Sequence, residues 1–128
     1  MKSYVVIDID GTCSNADPRK HLIDGSQKKD WNEFYDRCDA DEPNVDIRRL
    51  VKMLHKDGFY IIYCTGRVER VRDKTASWLF KHEFPEGSLQ MRPNGDTRQD
   101  SILKAEIADK CGLTPHNTFL VLDDRDQV

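Results

Sequence analysis

The sequence predicts an α/β fold built on a parallel sheet, and three observations carry that prediction. Four short runs, Tyr4–Ile7, 59–64, 89–91 and Thr118–Leu122, have the length of strands, and most are rich in β-branched or aromatic residues. The segments between them carry apolar residues at helical spacing. Strands that alternate with helices close into a parallel sheet, and right-handed crossovers put helices on both of its faces.

The first run, Tyr4-Val5-Val6-Ile7, reads as a fully buried central strand, and Asp8-Ile9-Asp10-Gly11-Thr12 follows it. Side chains at i and i+2 of an extended segment point the same way, so Asp8 and Asp10 can face one small site. Like charges that close are costly without a cation or a shared proton. On its own the stretch reads equally well as a solvated Asp-Gly turn.

Residues 13–30 are polar and irregular, with Asp17-Pro18, Asp24-Gly25 and Lys28-Lys29, and read as a loop. Trp31, Phe34 and Tyr35 mark a short helix with Asp30 as its N-cap. Packing on the core is the expectation for these rings, with base stacking the alternative. An acidic loop broken by Pro43 comes next. Ile47, Leu50, Val51 and Leu54 then form one helical stripe, capped by Asn44 and ended by Gly58.

The second strand runs into Thr65-Gly66-Arg67. A helix with Val68, Val71, Thr75, Trp78 and Leu79 on one face follows it. The third strand is short and leads to a loop over 92–98. Asp100 is positioned to cap a helix that faces the core with Ile102, Leu103, Ile107 and Ala108. The fourth strand ends in Asp123-Asp124.

Length bounds this to one domain over 1–128. A hydrophobic share of 38%, a charged share of 34% and a net charge of −3 fit a globular chain and do not indicate a strongly basic nucleic-acid binder. No apolar stretch approaches the roughly 20 residues of a membrane span, and the start Met1-Lys2-Ser3-Tyr4 has no signal-peptide pattern. Cys13, Cys38, Cys64 and Cys111 form no CxxC pair, which points to a reduced, cytoplasmic setting.

Open α/β sheets hold ligands at the carboxyl ends of their strands. Asp8 and Asp10, Thr65 and Arg67, and Asp123 and Asp124 would all converge there, with Lys104 as the accompanying cation. Singly, Lys104 reads as a surface lysine, Thr65 as a cap and Asp123-Asp124 as a solvated loop. Together they make a catalytic constellation.

These residues resemble the four signature motifs of the haloacid dehalogenase (HAD) superfamily, in the usual order: Asp8-Ile9-Asp10-Gly11-Thr12, Cys64-Thr65-Gly66-Arg67, Lys104, and Leu122-Asp123-Asp124. The C-terminal third, from Gly95-Asp96-Thr97-Arg98 to Gln127-Val128, resembles the 3′-phosphatase domain of bacteriophage polynucleotide kinase. The resemblance implies a Rossmann-like three-layer α/β/α domain with a central parallel sheet. It also implies Asp8 as a nucleophile that forms an aspartyl-phosphate, and Asp10 as the acid and base. For that role Asp10 needs a raised pKa, which crowding by other carboxylates would supply. Mg²⁺ would be held by the side chains of Asp8 and Asp123 and the backbone carbonyl of Asp10, with Asp124 as an additional carboxylate. Thr65, the backbone N–H groups after it from Gly66 onward, and Lys104 would hold the phosphate.

Between the first two motifs there is too little chain for a large cap domain, so an open site and a phosphate on the end of something large are expected. Arg67 and Arg92 sit at strand ends, where they would meet substrate phosphates. Arg70, Arg72 and Lys74 read as a solvated helix face. The reading favoured is a Mg²⁺-dependent phosphomonoesterase that removes 3′-phosphates from DNA or RNA ends. A phosphatase of mononucleotides is the alternative, and a non-catalytic phosphate-binding domain is a weaker one. No GxxxxGK[ST] loop is present, so a 5′-kinase activity would have to come from a partner domain. The sequence ends at Arg125-Asp126-Gln127-Val128, where the family adds a helix and a strand. Truncation, or coverage of the last strand by another subunit or a second copy, is the expectation there.

Overall fold

The structure is a computed structural model that describes residues 2–24 and 29–124. Gly25 and Lys28 of the first loop, and the whole 125–128 ending, lie outside the described residues.

Strand β1 (Tyr4–Ile7) is central. It pairs in parallel with β4 (Tyr60–Val68) on one side and with β6 (Thr118–Leu122) on the other; β5 (Ser88–Arg92) adds beyond β4. The four-stranded sheet therefore runs β5-β4-β1-β6. The period of two divides each strand between the faces. Val5, Ile7, Ile61 and Tyr63 join the main core with Val51 of α3 (Val45–Lys56) and Trp78 and Leu79 of α4 (Arg72–Lys81). Val6 and Cys64 face the opposite side. There, Leu103 and Ile107 of α5 (Asp100–Lys110) cover them in a much smaller cluster. Among the described residues α5 is the one helix packed on that face.

Helix α3 forms as its stripe predicts. Val51 is fully buried, Ile47 and Leu54 lean on the core, and the Asn44 side chain accepts from the Ile47 N–H at 3.4 Å. Helix α2 (Trp31–Asp36) has its N-cap at Asp30, whose Oδ1 accepts from the Glu33 N–H at 3.1 Å.

Several elements depart from the sequence reading. The 13–30 loop contains a two-residue strand β2 (Ser14–Asn15), paired antiparallel with β3 (Glu42–Pro43), and a helical turn α1 (Asp17–Lys20) that opens at Pro18. Strand β4 runs on through Thr65, Gly66 and Arg67 to Val68 instead of ending at Cys64, because Val68 pairs again with Arg92 after an irregularity. Ile102 on α5 is exposed and Lys104 takes a buried place on the inward face. The N-cap of α5 is Gln99, while Asp100 is drawn to Arg92. Val6 and β6 are only partly buried, since α5 leaves the far side of the sheet face open and Phe119 and Val121 reach solvent. No large cap is present among the described residues, and no helix of theirs is long and apolar enough to cross a membrane.

Candidate active site

The Asp8 N–H donates to the Leu122 carbonyl at 2.9 Å, which locks the carboxyl ends of β1 and β6 side by side. Asp8 and Asp123 leave these two ends together. Lys104 reaches them from α5: its Nζ is 3.0 Å from Asp8 Oδ1 and 2.7 Å from Asp123 Oδ2. Asp8, Asp123 and Asp124 each bring a carboxylate oxygen to within 4.8 Å of the others. Gly11 makes this possible. Its backbone is left-handed at φ +83°, and a Cβ there would stand 2.0 Å from Asp124 Oδ2. One residue after Gly11, the buried Thr12 hydroxyl has no hydrogen-bond partner among the described residues.

The donor set tests whether a divalent cation fits. All three side chains offer hard oxygen, the oxygens converge, and among the described residues Lys104 is the cation paired with Asp8 and Asp123. A small oxygen-loving ion such as Mg²⁺ fits that arrangement. Burial dominates the Asp8 environment and pushes its carboxyl up. Lys104 pulls it down, Asp123 pushes it up again, and the result is about 8. Burial also opposes the charge of Lys104, but Asp8 and Asp123 outweigh it and hold its pKa above the ordinary value.

Asp10 lies only two residues on and is held quite differently. Its Oδ1 accepts from Arg67 Nη2 at 2.8 Å and from Nε at 3.1 Å, and it pairs with Arg19 Nη2. Asp41 completes the clamp by receiving Arg19 through Nε at 2.9 Å and Nη2 at 2.7 Å. The Trp78 indole N–H fixes the Asp41 backbone at 2.8 Å. Burial pushes the Asp10 carboxyl up, but the charges and hydrogen bonds of Arg67 and Arg19 prevail and hold it at about 2. The sequence reading expected the reverse, a carboxyl raised by crowding with other acids. Two guanidiniums in direct contact are the physical reason for the difference. The Asp10 side chain is accordingly not among the three clustered carboxylates, and only its backbone carbonyl remains as the expected metal contact.

Thr65 is fully buried on β4. The register that pairs Ile7 with Tyr63 sets it one residue beyond the level of Asp8. Its hydroxyl accepts from the Arg67 N–H at 3.1 Å. Gly66 is squeezed against Asp100: a Cβ there would meet Asp100 Oδ1 at 2.6 Å. The Gly66 carbonyl accepts from Arg92 Nε at 2.9 Å and from the Tyr35 hydroxyl at 3.3 Å.

Arg67 and Arg92 were expected to meet substrate phosphates, and the structure instead buries both in contacts within the protein. Arg67 is 0% exposed, and its remaining donor Nη1 meets Thr75 Oγ1 at 3.1 Å. Arg92 is also buried; besides Gly66 it holds the Asp96 and Arg98 carbonyls at 3.2 and 2.6 Å and pairs with Asp100. Each arginine braces the walls of the site from within. Cys64, next to Thr65, is pushed up to about 12, mainly by burial, and is a neutral thiol at ordinary pH.

Arg19, Asp41, Tyr35 and Asp100 were not read from the sequence as site residues. One signal for Arg19 was available: an ionised Asp10 needs a cation, and Pro18 at a helix start places the next residue on a fixed turn.

Fold and site together define a phosphatase of the HAD kind, with an Asp-x-Asp pair, a lysine and an acidic pair gathered at one sheet edge. Comparison with known proteins agrees. The sequence model described as the polynucleotide kinase PNKP phosphatase domain (HAD_PNKP) matches residues 2–128. A putative bifunctional polynucleotide kinase/RNA ligase of Autographa californica nuclear polyhedrosis virus is 28% identical over 123 residues, which is 94% of this chain and 16% of that protein. Two solved structures of the Pnkp1/Rnl/Hen1 complex, one described as an RNA repair complex, contain chains that superpose at a TM-score of 0.78 with 28% identity. They cover 100% of this chain, and this chain covers 38% and 41% of theirs. The chain thus spans less than half the length of each of these relatives. It belongs to the polynucleotide kinase phosphatase domain family of HAD phosphatases.

Proposed function

We propose that this domain is a Mg²⁺-dependent polynucleotide 3′-phosphatase that works through an aspartyl-phosphate on Asp8. The observation that carries the reading is the Lys104 ammonium, shared between Asp8 and Asp123 across 96 and 19 residues of sequence. Such a bridge, with Asp124 beside it, supports a reading in which a carboxylate, a cation and an acidic pair act on one phosphate.

Asp8 attacks phosphorus. An Asp8 O–P bond forms and the bond from phosphorus to the 3′ oxygen of the nucleotide breaks. Asp8, Asp123, Asp124 and the Asp10 carbonyl would hold Mg²⁺, which when bound would supply positive charge for the phosphoryl oxygens and favour the ionised form of Asp8. Lys104 and the Thr65 hydroxyl take further shares of the oxygens, as does the backbone that follows Thr65. Asp10 starts ionised in its arginine clamp. The incoming phosphate offsets the two guanidiniums and raises Asp10 toward the protonated form that the leaving oxygen requires. With that proton given up, Asp10 is again the base that takes one from water as the aspartyl-phosphate hydrolyses. In the same reading the enzyme is intracellular and acts beside a kinase and a ligase on broken DNA or RNA.

The test is a comparison of a 3′-phosphorylated oligonucleotide, a 3′-mononucleotide and a 5′-mononucleotide, each with Mg²⁺. Preference for the oligonucleotide is expected. Preference for mononucleotides would replace this reading with a small-molecule phosphatase. Borohydride reduction of enzyme quenched during turnover, followed by peptide mass analysis, should find the modification at Asp8.

A further inference from the structure

Helix α2 buries one of its three rings, half-buries the second and leaves the third exposed. Phe34 is 6% exposed, and the Arg19 guanidinium lies 4.2 Å from its ring centroid. Arg19 Nη1 also donates to the Phe34 carbonyl at 3.1 Å, which ties the helix backbone to the Asp10 clamp. Tyr35 reaches the second motif through its hydroxyl on the Gly66 carbonyl. Trp31, one turn earlier, is 42% exposed.

Trp31 is nonetheless held in place. Its ring stacks on Tyr35 at 5.8 Å and 30°, and Phe34 meets it edge-on at 5.6 Å and 81°. The other strongly exposed rings among the described residues are Tyr60, Phe80 and Phe119. Tyr60 and Phe119 open their strands and Phe80 closes α4, so all three belong to the amino edge of the sheet, away from Asp8. Trp31 alone of the four joins a ladder of rings that ends at the catalytic edge. The rings of Tyr35 and Phe34 cover part of Trp31 and fix its orientation, and the rest of the ring is open to a further stacking partner. Lys29 sets an ammonium 5.9 Å from the Trp31 centroid. Across the helix, Arg70 pairs with Asp36 and Arg37 with Glu33, so the acids of α2 present little net charge to a polyanion.

Resting on the 3′-phosphatase reading above, we propose that the Trp31–Tyr35 stack is the platform for the nucleobase at the phosphorylated end of a single strand. The base extends the ladder beyond Trp31, and the 3′-phosphate turns in past Gly66 to Asp8. Stacking of this kind accepts any base, since each has a π-face. It selects polymer ends and nucleotides over base-free phosphate esters, which suits a site without a large cap to enclose its substrate.

The experiment compares wild type, Trp31→Ala and Trp31→Phe on two 3′-phosphorylated oligonucleotides that differ only in the last nucleotide, one intact and one abasic. Wild type should prefer the intact end. In Trp31→Ala the ratio of kcat/KM for intact over abasic should fall about tenfold, within the roughly 1–3 kcal/mol of one base–aromatic stack. Trp31→Phe should recover most of the ratio. Intrinsic fluorescence gives a second readout: the intact oligonucleotide should quench wild type strongly and Trp31→Phe weakly, because Trp78 is buried. An unchanged ratio in Trp31→Ala, or an equal loss on both substrates, would overturn the platform. Failure of the wild type to prefer a 3′-phosphorylated oligonucleotide over mononucleotides would strike the underlying reading instead, before any variant is made.

Discussion

Asp8 and Asp10 are the same residue, two positions apart at the end of one strand, yet their surroundings set them to opposite charge states. Asp8 shares one lysine with Asp123 and meets two acidic neighbours just past β6, so among the described residues carboxylates outnumber cations there. Asp10 meets two arginines braced by Asp41, in a space where positive charge is already supplied. One side is built to receive a cation. The other is built to hold an anion still. The difference teaches that an Asp-x-Asp motif does not specify its own protonation; the partners brought from 9, 57 and 96 residues away do.

The largest break in this comparison is Asp8→Asn. Turnover should fall by at least about 10⁴-fold, as expected when a covalent nucleophile is lost. The fold should survive, and metal-free thermal stability at pH 8 should rise because a strained carboxylate has gone. Substantial residual turnover would remove Asp8 as the nucleophile.

Next comes Arg67→Ala. It leaves Asp10 and Asp41 sharing Arg19 alone in a buried setting, and should cost about 3–5 kcal/mol in denaturant unfolding. Equal stability to wild type would mean that the clamp does not hold the fold together.

Two glycines sharpen the contrast from either side. Gly11→Ala drives a methyl into Asp124, and Gly66→Ala drives one into Asp100. Each should destabilise by about 1–3 kcal/mol, the usual cost of overpacking. Their kinetics should differ: Gly11→Ala should raise the Mg²⁺ concentration needed for activity, and Gly66→Ala should lower kcat at saturating Mg²⁺. A shared phenotype in a Mg²⁺ titration would argue that the two sides are one unit.

A further effect is in pH. Asp8 is raised to about 8 in the folded chain and has an ordinary value of about 4 when unfolded. Between those values the folded state binds the extra proton, so its contribution to stability is full below about pH 4 and is lost as pH rises through about 8. Asp10, lowered to about 2, contributes in the opposite sense: its stabilisation is present above about pH 4 and is lost as pH falls through about 2. Melting curves without divalent cation should therefore drop by several degrees from pH 5 to pH 8. Mg²⁺ should recover more of that loss at pH 8 than at pH 5.

Much of the scaffold was legible because burial leaves periodic traces. The α3 stripe, the Asn44 and Asp30 caps, and the polar residues closing β1 and β6 are local patterns, and each formed as read. Lys104 was legible only through the company of distant motifs. Other features left no local trace. Thr65 to Val68 look like a strand's end because Gly66 and Arg67 suit a turn, and only pairing with β5 keeps them extended. Ile102 and Lys104 exchange places on α5 because ionic contacts with Asp8 and Asp123 outweigh the apolar stripe. Arg19 and Asp41 sit in segments with no periodicity, and a buried ion pair between two loops is invisible until the loops are brought together. Arg67 and Arg92 do lie near the ends of β4 and β5, but whether a guanidinium faces inward or outward is decided by its partners in space.

Helix α5 has a consequence for how this molecule fails. It carries the one lysine that neutralises Asp8, and it rests on a cluster of only Cys64, Leu103 and Ile107 with Val6 and Cys111 at its margin. The opposite face holds the sheet with two helices and a far larger core. Small clusters open at lower free energy than large ones. On warming, α5 should lift while the rest of the sheet stays folded, and Lys104 leaves with it. The temperature at which activity is lost should then lie below the melting temperature, with amide exchange in 100–110 rising first. The active site would act as the protein's thermal fuse.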